Sequence, residues 1–284
     1  MQKIVAGVDI GGSHVTVCLV DTEKGKLLKD TYTRISIDPS MAKEDVIQTW
    51  AAVIRESFNK AQLPVGNIGI AMPGPFDYEK GISYIKGLHK YERLYGENVK
   101  ELLAAALGIA SSQLLMINDA SAYLLGELRC GAAVGYSNVV GITLGTGLGS
   151  AAFYDETFEE GDLYCTDYAA GKAEDYLSAR WLLATYQQRS GHKLKGVKEL
   201  AEQVGVDIVA QQTFKAFGEN LGRVLVNRYA QQSPEVVIIG GNIAKAWQAF
   251  IPFANAAIKE AGSLFLLKQA HLGEEAALIG AAYL

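Results

Sequence analysis

Ile4–Leu19 reads IVAGVDIGGSHVTVCL. Two alternating apolar runs flank Asp9-Ile10-Gly11-Gly12-Ser13-His14, the pattern of a strand, a tight glycine turn and a returning strand. Such a hairpin carries a carboxylate at its tip. Glycines let phosphate oxygens approach backbone N–H groups, Ser13 adds a hydroxyl, and Asp9 suits a divalent cation or its water shell. An ordinary hairpin with a glycine turn explains the same letters equally well, so the stretch gains its weight from an echo. Val139–Tyr154 reads VVGITLGTGLGSAAFY: strand, glycine turn (Gly145-Thr146-Gly147-Leu148-Gly149-Ser150), strand. Two glycine-tipped hairpins suit two halves holding one phosphate chain. Neither is a Walker loop, which needs Lys-Ser or Lys-Thr after its last glycine, and Gly145-x-Gly147-x-Gly149 lacks the final glycine of the dinucleotide fingerprint.

Outward from the first hairpin, Leu27–Ile37 reads as a further strand and Ser40 as the cap of a helix with Val46, Trp50, Val53, Ile54 and Phe58 at helical spacing. Asn67–Met72 is a short apolar strand stopped by Pro73-Gly74-Pro75-Phe76-Asp77, at the kind of strand end where α/β sheets bind ligands. Lys86–Tyr95 is an irregular connection, and Asn98–Leu107 a helix ended by Gly108. Leu114–Ile117 is a buried strand. It leads into Asn118-Asp119 at the start of a helix that runs to Gly131, where the helix field keeps a carboxylate ionised. Past the second hairpin, Asp155–Gly171 lacks any period and reads as a loop. Lys172–Arg189, Val197–Val204 and Ile208–Gln231 are helical, and Val236–Ile239 is a strand closed by Gly240-Gly241-Asn242. Ile243–Lys259 returns to helix, Leu264–Leu267 is a last strand, and Glu274–Leu284 a last helix. Strands and helices alternate twice over in the same order, which predicts an α/β protein of two related domains, 1–118 and 119–273, with the helix near 274–284 able to pack back on the first.

The composition narrows the function. With 284 residues, nearly half of them apolar, the chain can build two cores, and a net charge of −5 with scattered lysines argues against a nucleic-acid groove. Cys18, Cys130 and Cys165 form neither a disulfide framework nor a Cys-x-x-Cys zinc spacing, so a reducing, cytoplasmic setting is expected. Neither a leader nor a membrane span is expected from the letters.

Five motifs carry a resemblance over nearly the whole chain. They are Asp9-x-Gly11-Gly12-Ser13, Pro73-Gly74-Pro75-x-Asp77, Asn118-Asp119-Ala120 with Gly126-Glu127, Gly145-Thr146-Gly147-x-Gly149, and Gly240-Gly241 before a helix. Their order and spacing resemble the ROK family of bacterial sugar kinases, within the sugar kinase, heat-shock ATPase and actin fold. The resemblance implies two ribonuclease-H-like domains with an interdomain cleft, MgATP on one side and a hexose deeper inside. No helix-turn-helix domain, of the kind that regulator members carry, is expected ahead of the hairpin. A homodimer would fit the family.

Carried over by position, Asp119 resembles the catalytic base that takes the proton of a sugar hydroxyl, the 6-hydroxyl by preference, as the phosphoryl group arrives. As a bare residue it could also be a helix cap. Asn118 resembles a sugar ligand, with Gly74 and Pro75 lining the sugar pocket; a rigid loop is the alternative for that segment. Asp9 resembles the magnesium-associated carboxylate and Gly11, Gly12 and Ser13 the first phosphate loop. Gly145, Thr146 and Gly147 resemble the second loop, and Gly240, Gly241 and Asn242 the nucleotide site, which could also be a plain strand-to-helix turn. Glu174 matches the family's sugar-contacting glutamate, against the alternative of a surface helix glutamate.

The chain also departs from the family. The Glu-x-Gly-His segment and the zinc site of one histidine and three cysteines are missing, so no zinc is expected, and Lys86-Gly87-Leu88 stands where Pro-Asn-Leu is usual. Lost polar contacts should alter or broaden sugar choice. Zinc-free relatives include polyphosphate-using glucokinases, whose second loop tends to end as Gly149-Ser150 does. The expected activity is therefore an ATP- and Mg2+-dependent hexose kinase acting on glucose or a related or amino sugar. The alternatives are a polyphosphate donor, or a sugar- or nucleotide-binding sensor without turnover.

Overall fold

Alternation at Ile4–Leu19 builds the hairpin it predicts. β1 (Ile4–Ile10) pairs antiparallel with β2 (His14–Asp21), with Asp9 opposite Thr16 and Ile10 opposite Val15. The computed structural model describes residues 4–88 and 90–284. The chain divides into two compact units, one running to Val134 and completed by Glu274–Leu284, the other Gly135–Gly273. Residues 1–3 of the expected first domain and His89 of the expected Lys86–Tyr95 connection lie outside the described residues.

In the first unit β2 is extended by β3 (Lys26–Leu27) and β4 (Thr33–Ser36), both paired to it. The single strand expected over Leu27–Ile37 is thus two. Between them the Thr31 hydroxyl accepts from Leu19 N–H (2.9 Å) and donates to Leu28 C=O (2.7 Å), so a side chain stands in for ladder bonds and the backbone turns. α1 (Lys43–Lys60) follows, burying Val46, Trp50, Val53, Ile54 and Phe58 along one stripe. Ser40 does not cap it: its N–H and hydroxyl both bond Asp38 Oδ1, and Ala42 occupies the cap position.

β5 (Ile68–Met72) lies parallel to β1, and the small hairpin β6 (Phe76–Asp77) and β7 (Ile82–Ser83) follows. α2 (Val99–Leu107) is capped by Asn98 and closed by Gly108 in the left-handed region. β8 (Leu114–Asn118) joins β5 in parallel and passes directly into α3 (Asp119–Cys130). The sheet order is β3-β2-β1-β5-β8.

The terminal helix (Ala276–Ala282) packs on β1, β5 and α3. Glycines make this approach possible: a Cβ on Gly69 would come within 1.7 Å of Ala281 C=O, and one on Gly280 within 1.8 Å of Ala122 C=O. Because α3 packs against this helix, the first unit reaches Val134 and does not stop at the expected boundary near Asn118.

The second unit repeats the topology. β9 (Val139–Leu144), β10 (Leu148–Tyr154) and β11 (Thr157–Glu160) form an antiparallel meander. The expected loop over Asp155–Gly171 is therefore partly strand. Asp155 and Glu156 both adopt positive φ (49° and 63°), a two-residue hairpin turn occupied by residues other than the usual glycine or asparagine. β12 (Asp167–Tyr168) and β13 (Gly171–Lys172) make a second small hairpin.

The helix expected over Lys172–Arg189 is broken into α4 (Ala173–Tyr176) and α5 (Ala179–Ser190), with Ser178 extended between them. α6 (Val197–Glu202) and the long α7 (Ile208–Tyr229) lead to β14 (Val236–Gly240), which lies parallel to β9. After a 3-10 turn at Ile243–Ala246, α8 (Trp247–Glu260) packs on α7. β15 (Leu266–Gln269) is shifted from the expected Leu264–Leu267, because pairing with β14 begins only at Leu266 and leaves Leu264 in solvent. The order β11-β10-β9-β14-β15 matches the first unit: an antiparallel meander followed by parallel strands, the ribonuclease-H-like arrangement the resemblance implies. Among the described residues no helix is long and apolar enough to cross a membrane.

Candidate functional site

In the first unit the tip of the β1–β2 hairpin is closed by Gly11 N–H donating to His14 C=O at 2.9 Å. The Tyr91 hydroxyl donates to Gly11 C=O at 2.7 Å, and Ser13 C=O accepts from Ile37 N–H at 3.0 Å. Among the described residues the N–H groups of Gly12 and Ser13 have no protein acceptor. Neither Gly11 nor Gly12 has positive φ, so space is what demands glycine here. A Cβ on Gly11 would lie 2.5 Å from the His14 ring, and one on Gly12 would lie 3.1 Å from the Lys90 stem. Two adjacent free donors at an open turn form an anion cradle.

Asp9 sits one residue before the end of β1, its side chain about a quarter exposed. Burial, and then the charge of Asp119, push its carboxyl up from 3.8 to about 6; Arg34 pulls it down and Glu274 adds to the rise. His14 Nε2 lies 3.9 Å from Asp9 Oδ2, but burial and Arg34 hold the imidazole below its ordinary 6.5, so at neutral pH the contact is not a full ion pair.

Asp119 opens α3 with its carboxylate exposed, and among the described residues its Oδ1 accepts from Ala120 N–H at 2.8 Å. The cap of α3 is Asn118, whose Oδ1 accepts from Ala120 and Ser121 N–H (2.9 and 3.3 Å). The capping role weighed for Asp119 thus falls chiefly to its neighbour, and the acid is free for other work. Asn118 Nδ2 donates to the Tyr78 hydroxyl at 3.2 Å, and that hydroxyl donates to Met72 C=O at 3.0 Å. Gly74 lies against the same hydroxyl, 3.2 Å from where its Cβ would be, and Pro75 is exposed after a cis peptide bond. Asp77 only closes a turn, accepting from Lys80 N–H at 2.9 Å. The first unit therefore gathers Asp9, Gly11, Gly12 and Ser13 at the end of β1, and Gly74, Pro75, Asn118 and Asp119 at the ends of β5 and β8.

In the second unit the turn Gly145-Thr146-Gly147 is closed by Gly145 N–H to Gly147 C=O at 3.0 Å. Thr146 and Gly147 N–H have no protein acceptor among the described residues, as at the first tip. The break between α4 and α5 serves this turn, because it lets Ala179 N–H donate to Gly145 C=O at 2.8 Å. Glu174 is no free surface glutamate. Its Oε2 accepts from Leu148 N–H at 2.9 Å and lies 2.7 Å from where a Gly147 Cβ would stand, so it braces the turn from within its own unit.

Gly240 ends β14, and Gly241 turns the chain at φ +84°, where a Cβ would meet Leu144 C=O at 2.3 Å. Beside it Asn242 Oδ1 holds the Lys245 ammonium at 2.8 Å. Gly145, Thr146 and Asn242 open onto a cavity of about 600 Å³ walled by Ala179, Val197, Ala201, Ile243 and Ala246, with Lys198, Glu202 and Lys245 at its polar side. The sequence reading missed α6 and Lys245 as parts of this wall, and Tyr78 and Tyr91 as braces. None of them stands in a motif, though Tyr78 just past Pro73–Asp77 and Lys245 three positions past Asn242 had nearby signals.

A model described as ROK family matches residues 5–163 and 159–284. The chain is 30% identical over 277 residues to a glucokinase of Thermotoga maritima, covering 87% of this chain and 84% of that protein. It is 25% identical over 308 residues to the N-acetylgalactosamine kinase AgaK of a Shewanella species, covering 98% and 95%. In fold it is similar to a ROK family glucokinase from Streptomyces griseus solved with glucose and AMPPNP (TM-score 0.77, 22% identity, 99% of this chain and 98% of that one).

Proposed function

The chain belongs to the ROK family, and from that premise we propose that it is a hexose kinase, moving the γ-phosphoryl group of ATP to a sugar hydroxyl, the 6-hydroxyl of glucose or a related or amino sugar. The observation that carries this is Asp119: an exposed carboxylate at a helix start, relieved of capping by Asn118 and close enough to Asp9 to raise its pKa. Similarity to sugar kinases over most of the chain supports the same reading.

The first unit carries the acceptor side. Asp119 accepts the proton of the attacking hydroxyl, whose oxygen forms the new bond to phosphorus while the bond to the β-phosphate oxygen breaks and ADP leaves. Asn118 offers an N–H to the sugar, and Gly74 and Pro75 border it. Gly12 and Ser13 N–H point their dipoles at phosphate oxygens.

The second unit carries the donor side. Its apolar-walled cavity suits a nucleoside, Thr146 and Gly147 N–H suit the phosphate chain, and Glu174 keeps that turn in shape. Gly240, Gly241 and Asn242 form the lip, from which Lys245 reaches the phosphates. Such a cavity favours a nucleotide over polyphosphate as donor.

Magnesium fits the residues present. Asp9 is a half-buried carboxylate whose charge is opposed by a second carboxylate, a strain a divalent cation relieves. When bound it neutralises charge on the phosphates. A cytoplasmic location, supported by three free thiols, and a homodimer complete the proposal.

An ADP-release assay over a hexose panel, with ATP and polyphosphate as alternative donors, tests it. Turnover of at least one hexose with ATP, reduced about a thousandfold or more in Asp119→Asn with sugar binding retained, is expected. Sugar or nucleotide binding without turnover would identify a sensor, and turnover only with polyphosphate would replace the donor.

A further inference from the structure

Beneath the acceptor side runs a chain of hydrogen bonds whose direction is fixed at one end. Met72 C=O, on the last residue of β5, can only accept. The Tyr78 hydroxyl 3.0 Å away donates its proton there. Its oxygen, as an acceptor, faces Asn118 at 3.2 Å and requires the nitrogen end of that carboxamide. The oxygen end then meets Ala120 and Ser121 N–H, two donors that only an oxygen satisfies. A flipped amide would set N–H against the Ala120 and Ser121 N–H groups, so the start of α3 and the Tyr78 contact favour the same orientation.

We infer that Tyr78 is a positioning residue of the acceptor site, locking the Asn118 carboxamide so that one Nδ2 hydrogen, which has no protein acceptor among the described residues, is presented to the sugar as a donor and never as an acceptor. The inference rests on the kinase reading for its ligand, but the lock itself stands on the geometry. Its consequence is selective. Where Asn118 meets the sugar, the site requires a hydroxyl oxygen able to accept; an epimer that places a C–H there leaves the N–H unpaired and is rejected. The lock also lies beside the Gly74–Pro75 loop, since a Cβ on Gly74 would stand 3.2 Å from the Tyr78 hydroxyl.

Tyr78→Phe tests this. The ring packs against Phe76 with centroids 5.2 Å apart, and phenylalanine keeps that packing while removing only the hydroxyl. The expected result is a rise of about tenfold in KM for the sugar, with kcat changed less than about threefold and KM for ATP unchanged, together with a narrower gap in kcat/KM between the best hexose and its epimers. A merely structural tyrosine would lower the melting temperature and leave this split unmoved.

In the double variant Tyr78→Phe, Asn118→Asp, the loss should not exceed that of Asn118→Asp alone, since aspartate keeps the cap but has already lost the N–H. A measurement independent of activity is the exchange of the Asn118 side-chain amide protons by NMR on the sugar-free protein, expected to quicken several-fold in Tyr78→Phe. Unchanged amide exchange, or additive losses in the double variant, would overturn the inference. If the unmodified protein phosphorylates no sugar the kinase reading fails, while the exchange measurement still decides the lock.

Discussion

Replacing Asp9 by asparagine separates the cost of its charge from the use of that charge. The folded protein holds the Asp9 proton with a pKa of about 6 against 3.8 for the free side chain. At 1.36 kcal/mol per tenfold change in proton affinity, the ionised carboxylate costs the folded state about 3 kcal/mol. The sign follows from linkage: the folded state binds this proton more tightly than the unfolded chain, so the stability it contributes is complete below about pH 4 and is lost as pH rises through about 6. Asparagine carries no such dependence. In metal-free buffer the stability of Asp9→Asn relative to the parent should therefore grow by about 2 kcal/mol between pH 4.5 and 7.5, whatever constant offset the substitution adds.

Trp50 is the one tryptophan in the first unit, and it reports on that unit's urea denaturation once Trp181 and Trp247 are replaced by phenylalanine. The same Asp9→Asn protein should be nearly inactive as a kinase. Stability curves that run parallel across this pH range, within about 0.5 kcal/mol, would refute the account of Asp9 as a carboxylate strained by burial and by Asp119.

Other perturbations address the second unit. Lys245→Ala should raise KM for ATP several-fold and leave the sugar KM unchanged in steady-state kinetics, since its ammonium is held beside the cavity by Asn242. Glu174→Ala removes the acceptor of Leu148 N–H and should lower kcat about tenfold or more, with Glu174→Gln recovering much of the loss because its carbonyl can still accept. Gly241→Ala meets both a positive φ and the Leu144 carbonyl, and should destabilise the second unit by about 2 kcal/mol or more, read from the thermal transition of Trp181 and Trp247.

Much of this protein is legible in its letters, for a physical reason. The two hairpins announce themselves because period-two apolar runs and glycine tips are local, and Asn98 and Gly108 mark both ends of α2 because capping is local too. What stayed hidden depends on partners distant in sequence. Thr31 bends a strand by bonding Leu19, Asp155-Glu156 turns without a glycine because the two strands already pair, and Ser178 breaks a helix whose next turn donates to Gly145. At the site, the motifs located the cradles and the Asn118-Asp119 pair. They could not divide the pair's labour, since adjacent Asn and Asp cap equally well and only the folded start of α3 shows that Asn118 takes the cap while Asp119 opens the helix.

The terminal helix imposes an order on how the molecule comes into being. β1 and β5 leave the ribosome ahead of the second unit, yet the surface they share around Gly7 and Gly69 is shaped to receive Leu278 and Ala281 at nearly zero clearance. Until those late residues emerge, the first unit stands with an open apolar flank, while the unit encoded in between has all its own strands and can finish first. Vectorial synthesis ordinarily rewards the amino-terminal portion with a head start. Here the head start is withheld, and a stop codon ahead of Glu274 would deprive the first unit, not the second, of its final layer.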